Sequence, residues 1–463
     1  MIRFIRRILI AVVILATLLF GAGWVAVNRL LTKEALIAQL ESSLNCKVSM
    51  DHFEASAFSL PASLRIQKLN LLPKDPAALS TGISVDEVVL KLCLFDLIQR
   101  RITIEKLHIS GAYVRDEISK EGHSPLSDMF GKPSAASVVS SASEAAQPGV
   151  KPPPAPGVPP EPPQTLASAP ATSEPSKVEQ KRTVSVNIKE ALLDRTLIHI
   201  VDRKARNKRD IHDLRLRIFD VDIDPSDLAQ HNTCHIEISG RTEIIGRKKV
   251  GEENVDAQFV NVPFSGKGRI RPFDPVTGLL EPSAELEVTL AKEAQLGGHL
   301  TIGEAAGKDK SLKDLEKYLG LDLSAISIGG ALQEELVAKF KVNGARVEWL
   351  NDARLAFPDY SIMMKQGSWS DSREDDSRMA IQFMPSGQIS EKLFAGITER
   401  YGDGVTQAVN KALALPGGGA GIDFILTGPL GKPSVTPSPD TMQRVIQAVA
   451  GNGADLLKGL LGR

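Results

Sequence analysis

Apolar residues in this 463-residue chain recur at every second position in segment after segment. In VVLKLCL, Val88, Leu90, Leu92 and Leu94 alternate with polar or smaller partners. RITIEKLHISGAYV repeats the pattern through Ile102, Ile104, Leu107 and Ile109, and LRIQKLNLLP spaces Leu64, Ile66, Leu69 and Leu71 in the same way with one slip. Successive side chains of an extended strand point to opposite faces, so this period builds sheet with one apolar face and does not build helix. It returns in TVSVNI, TLIHIV, LRLRIFDVDID, CHIEISGRTEII, AELEVTLA and HLTIG, then in ELVAKFKV, MAIQFM and GIDFILTG. The expectation is a mainly β protein, built chiefly of antiparallel sheet, with a few helices.

The helices have their own signatures. Thr32 can cap a short amphipathic helix in which Leu36, Ile37, Leu40 and Leu44 share one side. SLKDLEKYLG predicts a helix near Leu312–Leu319, stopped by Gly320. Leu393, Phe394, Ile397, Tyr401, Val405 and Val409 fit a 3.6-residue stripe. Ser438-Pro439 is a good cap and first-turn pair for a C-terminal amphipathic helix or helix pair. That tail presents Met442, Val445, Ile446 and Val449, then Leu456, Leu457, Leu460 and Leu461. Its default fate is to pack on the sheet; docking on a partner or a membrane surface is the sharper alternative.

The run from Ile8 to Val27 carries no charge and follows Arg3, Arg6 and Arg7. A helix of about 20 apolar residues matches the ~30 Å hydrocarbon core of a bilayer and satisfies its own backbone within it. Ile8, Leu15, Phe20, Trp24 and Val27 mark the expected membrane-spanning segment. The three arginines set its topology, holding the N-terminus on the cytoplasmic side. A cleaved signal peptide is the competing reading: its apolar stretch would be shorter and end at a small-x-small site. Gly21-Ala22-Gly23 is a faint version of such a site, but it lies inside the run, and Trp24 suits a lipid–water boundary. The expectation is an uncleaved single-pass anchor with the bulk of the chain across the membrane.

From about Lys132 to Lys181 the chain turns rich in Pro, Ala and Ser, peaking at KPPPAPGVPPEPPQ. Such a segment buries too little apolar surface to offset its ordering entropy, and proline makes it an extended, stiff spacer. Five regions follow: a stub and anchor over 1–30, helix plus strands over 31–130, the Pro-rich linker over 131–181, the main β region over 182–436 and a helical tail over 437–463. A net charge of -1, from 55 basic and 56 acidic residues, excludes an electrostatic nucleic-acid binder. The three cysteines are too few for a disulfide framework, so buried free thiols are expected.

No motif points to a reaction centre. His231, Cys234 and His235 form a tight group of potential ligands, but on a strand the histidines would share a face and Cys234 would point away. Asp220, Asp222 and Asp224 resemble the opening of a calcium loop, yet Pro225 and His231 stand where an EF-hand needs Gly and Glu. The run from Arg203 to Arg209 reads as a charged hairpin turn, with anionic head groups as the alternative partner. Gly417 to Gly421 lacks the Lys and Ser/Thr of a phosphate loop. No G-x-S-x-G or HExxH arrangement occurs. No catalytic, cofactor or metal residue is assigned.

Four stretches together resemble the AsmA-like family of bacterial envelope proteins. They are the anchor with its helix and NCKVSMDHFEASAF; VDEVVLKLCLFDLIQRRITIEKLHISGAYVRDEISKEG; VNIKEALLDRTLIHIVDRKARNKRDIHDLRLRIFDVDI, with Asp202 in its charged turn; and FILTGPLGKPSVTPSP. The resemblance covers the chain apart from the Pro-rich insert, which is long for the family. It implies a curved, groove-like antiparallel sheet in the periplasm, tethered to the inner membrane and serving envelope or outer-membrane maintenance without catalysis. It further implies phospholipid handled in a hydrophobic groove, with the inner membrane, phospholipids and envelope proteins as partners. A scaffold that binds another envelope protein without lipid transfer is the alternative, and an anchored hydrolase with scattered catalytic residues is a third.

Overall fold

The computed structural model describes residues 32–56, 61–74, 80–130, 184–250, 253–301, 327–415, 418–429 and 434–451. The apolar run Ile8–Val27 with Arg3, Arg6 and Arg7, the Pro-rich segment, the helix expected at Leu312–Leu319 and the leucines after residue 451 lie outside them. None of the described helices is long and apolar enough to cross a membrane.

All described strands join one large, open, mostly antiparallel sheet. After helix α1 (Lys33–Ser43), strands β1 (Cys46–Ser49) and β2 (His52–Ser56) lie end to end along one side of β3 (Ala62–Pro73). β4 (Gly82–Cys93) pairs with β3. A short helix α2 (Leu94–Ile98) turns the chain into β5 (Arg101–Ile118), and helix α3 (Pro125–Met129) follows. β6 (Ser185–Asp202) runs parallel to β5, and antiparallel pairing resumes through β7 (Asn207–Ile223), β8 (Asn232–Val250) and β9 (Glu253–Arg271). β10 (Ser283–Leu290) and β11 (Gln295–Thr301) share the next side of β9. β12 (Ser327–Ala331) pairs with β11, and β13 (Leu336–Asn343) with β10.

The C-terminal strands are shorter. β14 (Arg346–Trp349) pairs with β13, and β15 (Ala353–Ala356) with β16 (Tyr360–Met364). β17 (Trp369–Asp371) pairs with β14, while β18 (Asp376–Pro385) takes both β16 and β17. Helices α4 (Gly387–Tyr401) and α5 (Asp403–Leu413) intervene before β19 (Ile422–Thr427), β20 (Ser434–Pro437) and helix α6 (Pro439–Gly451).

Register explains why the chain adopts this sheet. One cross-strand row runs Leu64, Leu90, Leu107, Ala191, Ile218, Ile236, Gly268, Leu286, Phe340 and Trp349, each directly opposite the next. The adjacent row on the same face runs Ile66, Val88, Ile109, Leu193, Leu216, Ile238, Gly266, Val288 and Ala338. Neither contains a polar side chain. Between them, on the opposite face, lies a row that becomes an alternating ion ladder: Arg217, Glu237, Lys267, Glu287 and Lys339. Arg217 also reaches Glu190 at 2.9 Å, and Lys267 reaches Glu287 at 3.1 Å. Opposite charges placed directly across strands each contribute about 0.2–1 kcal/mol. They also keep that face wet.

The slip in LRIQKLNLLP has a structural cause. Lys68 adopts φ 56, a left-handed conformation, so Leu64 and Ile66 and then Leu69 and Leu71 all face the same side. Neighbouring strands slip beside it. Gly111 (φ 65) on β5, Arg195 (φ 49) on β6 and Asp213 (φ 50) on β7 each change which positions face the core. Leu107 and Ile109 give way to Ala112; Ala191 and Leu193 give way to Ile198 and Ile200; all seven are buried. On β4, Asp86 holds the corresponding place, bonded to Lys68 at 2.6 Å.

Three apolar cores lie on the sheet, the smallest of them Ile198, Ile200 and Leu214 on β6 and β7. The first joins Leu36, Leu40 and Leu44 on and just after α1, and Met129 on α3, to strands β1–β8. Thr32 caps α1 as its sequence predicts, accepting from Ala35 N at 3.3 Å. The second joins Ile389, Ile397, Val405, Val409 and Leu413 on α4 and α5 to Phe357, Tyr360, Ile422 and Phe424. The stripe expected as one helical sequence is therefore two helices, broken at Gly402 with φ 85. Ser438 caps α6, accepting from Thr441 N at 3.1 Å.

Gly266 and Gly268 fill neighbouring places in the apolar rows, and the room beside them differs. A Cβ on Gly268 would stand 2.3 Å from the Glu285 carbonyl oxygen, whereas one on Gly266 would meet nothing nearer than 3.2 Å. Gly268→Ala is therefore expected to destabilise the protein by about 1–3 kcal/mol in chemical denaturation. Gly266→Ala should lie near neutral, because loss of unfolded-state entropy offsets mild crowding. Equal effects would contradict the close approach of β9 and β10.

Candidate apolar binding face

The first and second cores are separate clusters. Between them Val288, Phe340, Val342, Val347 and Trp349 share the apolar face, are half-buried and belong to neither core. None of these five is grouped with a helix side chain in either core. Phe340 and Trp349 stand edge to face across the β13–β14 pair, with ring centroids 5.2 Å apart. Leu286, directly opposite Phe340, continues the surface into the first core. This stretch offers dispersion contacts and exclusion of water, and it carries no titratable or nucleophilic group. Its chemistry fits an aliphatic ligand.

The other hollows have a different character. One of about 640 Å³ lies at the far end of β5, lined by Lys74, Thr81, Glu117, His123, Asp128 and Arg203 among others. Glu117 is held below the usual carboxylate range by hydrogen bonding from Ser80 and by the Arg203 guanidinium. A second, of about 360 Å³, lies within the ion ladder between Arg217, Glu237, Lys267 and Glu287. Lysine hydrogen bonding holds Glu287 below its ordinary value. Both hollows are lined by compensated charge and do not suit an acyl chain.

The residues weighed for chemistry fall in separate places. His231 precedes β8 and bonds Asp222 at 2.7 Å, which raises its pKa. Cys234 turns to the apolar face, and His235 stacks on Phe219 with centroids 5.3 Å apart. Asp220 sits at a slip in β7 with φ 50, and Asp224 accepts from Ser226 N in the turn beyond. Residues 203–206 form the β6–β7 turn, tied by buried Asp202, which accepts from Ala205 N at 2.7 Å. Gly418 and Gly419, both with positive φ, lead into β19. Val347 and Trp349 were not among the expected strand residues: RVEW alternates, but over four positions it carries too little signal.

The sequence matches no protein-family profile and no curated protein.

The cysteines are all free thiols. Burial pushes Cys46 and Cys234 up to about 11, so about a thousandth of either is ionised at pH 8. Cys93 is only half-buried. In native protein at pH 8 an aromatic disulfide reagent should titrate Cys93 first, the other two reacting only on unfolding. Prompt reaction of Cys234 would contradict the placement of its side chain on the apolar face.

Proposed function

We propose that the chain is a membrane-tethered, non-enzymatic envelope protein whose sheet curls into a trough and shields the acyl chains of phospholipid. The observation that carries this reading is the half-exposed apolar surface at Val288, Phe340, Val342, Val347 and Trp349, continuous with two rows free of polar side chains. From β3 to β14 such a row crosses nine strand steps, about 43 Å at ~4.8 Å each. That length exceeds a phospholipid tail and falls short of a bridge between two membranes. A short carrier or receiver beside the inner membrane fits this span.

The direction of α1 supports the tether. Lys33 Nζ bonds the Asp51 carbonyl at 3.2 Å and Glu41 accepts from Val48 N at 2.8 Å, so α1 runs antiparallel to β1. Its N-terminus therefore points toward the strand ends where β3 begins and β4 gives way to α2. The apolar run ends at Val27, and the four residues to Leu31 reach about 14 Å when extended. At those same strand ends Phe95 on α2 is 63% exposed and Val276, on the β9–β10 hairpin, is 91% exposed. Apolar tips at the end that faces the tether suit contact with a bilayer surface.

A second reading keeps the fold and makes it a scaffold for another envelope protein. The observation favouring it is the β9–β10 hairpin, where Val276, Leu279 and Leu280 are exposed on a turn fixed by Asp274. Such a rigid apolar tip can also serve as a protein anchor.

Full-length protein purified in mild detergent and analysed by lipid mass spectrometry should retain phospholipid. Phe340→Gln with Val342→Gln should lower retention by at least about a hundredfold, since burying each native side chain contributes about 1.5–3 kcal/mol. Far-UV circular dichroism should be unchanged. Absence of lipid from the native protein, or equal retention in the double variant, would leave only the scaffold reading.

A further inference from the structure

We propose that Asp210, His212 and Glu243 bind a divalent transition cation of the zinc class on the charged face of the sheet, with His199 and Gln258 orienting the two carboxylates. His199, Asp210 and Glu243 stand directly opposite one another on β6, β7 and β8. His212 lies two residues beyond Asp210, on the same face. One ligand atom from each of Asp210, His212 and Glu243 falls within 4.8 Å of the others.

The spacing suits the ion. Bonds of about 2.0–2.1 Å in a tetrahedron set neighbouring ligand atoms about 3.3 Å apart. His212 Nε2 and Glu243 Oε2 already stand at 3.4 Å. The remaining closure is a rotamer adjustment, which half-exposed side chains can make. A fourth position remains for water.

Each carboxylate is held by one oxygen. His199 Nδ1 lies 2.5 Å from Asp210 Oδ1, and Gln258 Nε2 donates to Glu243 Oε1. The second oxygen of each is left for the cation. Hydrogen bonds of this kind orient metal ligands and raise their affinity. Backbone geometry fixes His212 as well, since Asp213 immediately after it holds the left-handed conformation.

Simple charge pairing accounts less well for the group. Among the described residues neither Asp210 nor Glu243 has an ion pair with lysine or arginine; their partners are His199 and His212. Arg241 stands opposite His212 in the register and pairs with neither carboxylate. Nearby Arg209 is committed to Asp202, and Lys208 to Asp256. Two carboxylates thus share a small space with two imidazoles and take no lysine or arginine partner among the described residues. A divalent cation supplies the missing charge. Imidazole and carboxylate together suit zinc, cobalt or nickel better than magnesium or calcium, which favour oxygen alone.

The inference does not rest on lipid handling. Its test is calorimetric titration of chelator-treated full-length protein in detergent with zinc chloride. The expected result is one zinc per chain, with affinity reduced at least a hundredfold in His212→Ala and in Asp210→Asn. His199→Ala should cost about ten- to a hundredfold, the usual loss for an orienting partner, and His231→Ala should change nothing. Cobalt(II) gives a direct readout in the native protein: the intense visible absorption of a four- or five-coordinate site, displaced by one equivalent of zinc. No binding, more than one weak class of sites, or native affinity retained in both ligand variants would overturn the proposal and show only adventitious ions.

Discussion

Everything in this structure depends on parity. A pleated strand sends alternate side chains to opposite faces, so displacement by one residue turns a whole apolar set into water. Here strands β3 to β7 each change parity at neighbouring positions, around Lys68, Asp86, Gly111, Arg195 and Asp213. Holding one non-glycine residue in the left-handed region costs about 1–2 kcal/mol. Turning Ile198 and Ile200 out of their core would cost about 1.5–3 kcal/mol each. On β6 the slip is the cheaper arrangement, and it keeps one face apolar on both sides of the line it draws.

The two faces then divide the labour. Rows such as Ile66, Val88, Ile109 and Leu193 bury apolar surface, while Arg217, Glu237, Lys267 and Glu287 pair across strands and hold water. Single exposed ion pairs add little stability. Their order serves the choice of neighbouring strand instead, since skipping one strand would set like charges opposite each other. An open sheet so built leaves part of its oily face without a described partner, and the lipid-shielding proposal rests on that consequence.

Much of this was legible in the sequence. Alternation announced the sheet, and the misfit between Ile66 and Leu69 already marked the slip at Lys68. The caps at Thr32 and Ser438 read correctly because capping is local. What failed was nonlocal or diluted. TVSVNI and TLIHIV looked like two strands because Arg195 breaks the period between them, yet β6 is one. β9 escaped notice because Pro263, Gly266 and Gly268 mask its alternation. Pro263 is tolerated because it falls between the residues paired with β11 and those paired with β10. Strands β14 to β17 are too short for a period to emerge. The grouping of Asp210, His212 and Glu243 needs the register of two strands, which no local pattern encodes, and the apolar gap between the cores needs the fold itself.

The parallel pairing of β5 with β6 makes the long insert a return path. Ile118 and Ser185 end up at opposite ends of an 18-residue strand, about 55 Å apart. The described chain on either side is zipped together by that ladder. Severing the backbone anywhere between 131 and 183 would leave an N-terminal piece and a C-terminal piece still held as one body. Protease nicking there divides the covalent chain without dividing the molecule, and the halves offer themselves as a natural pair for fragment complementation.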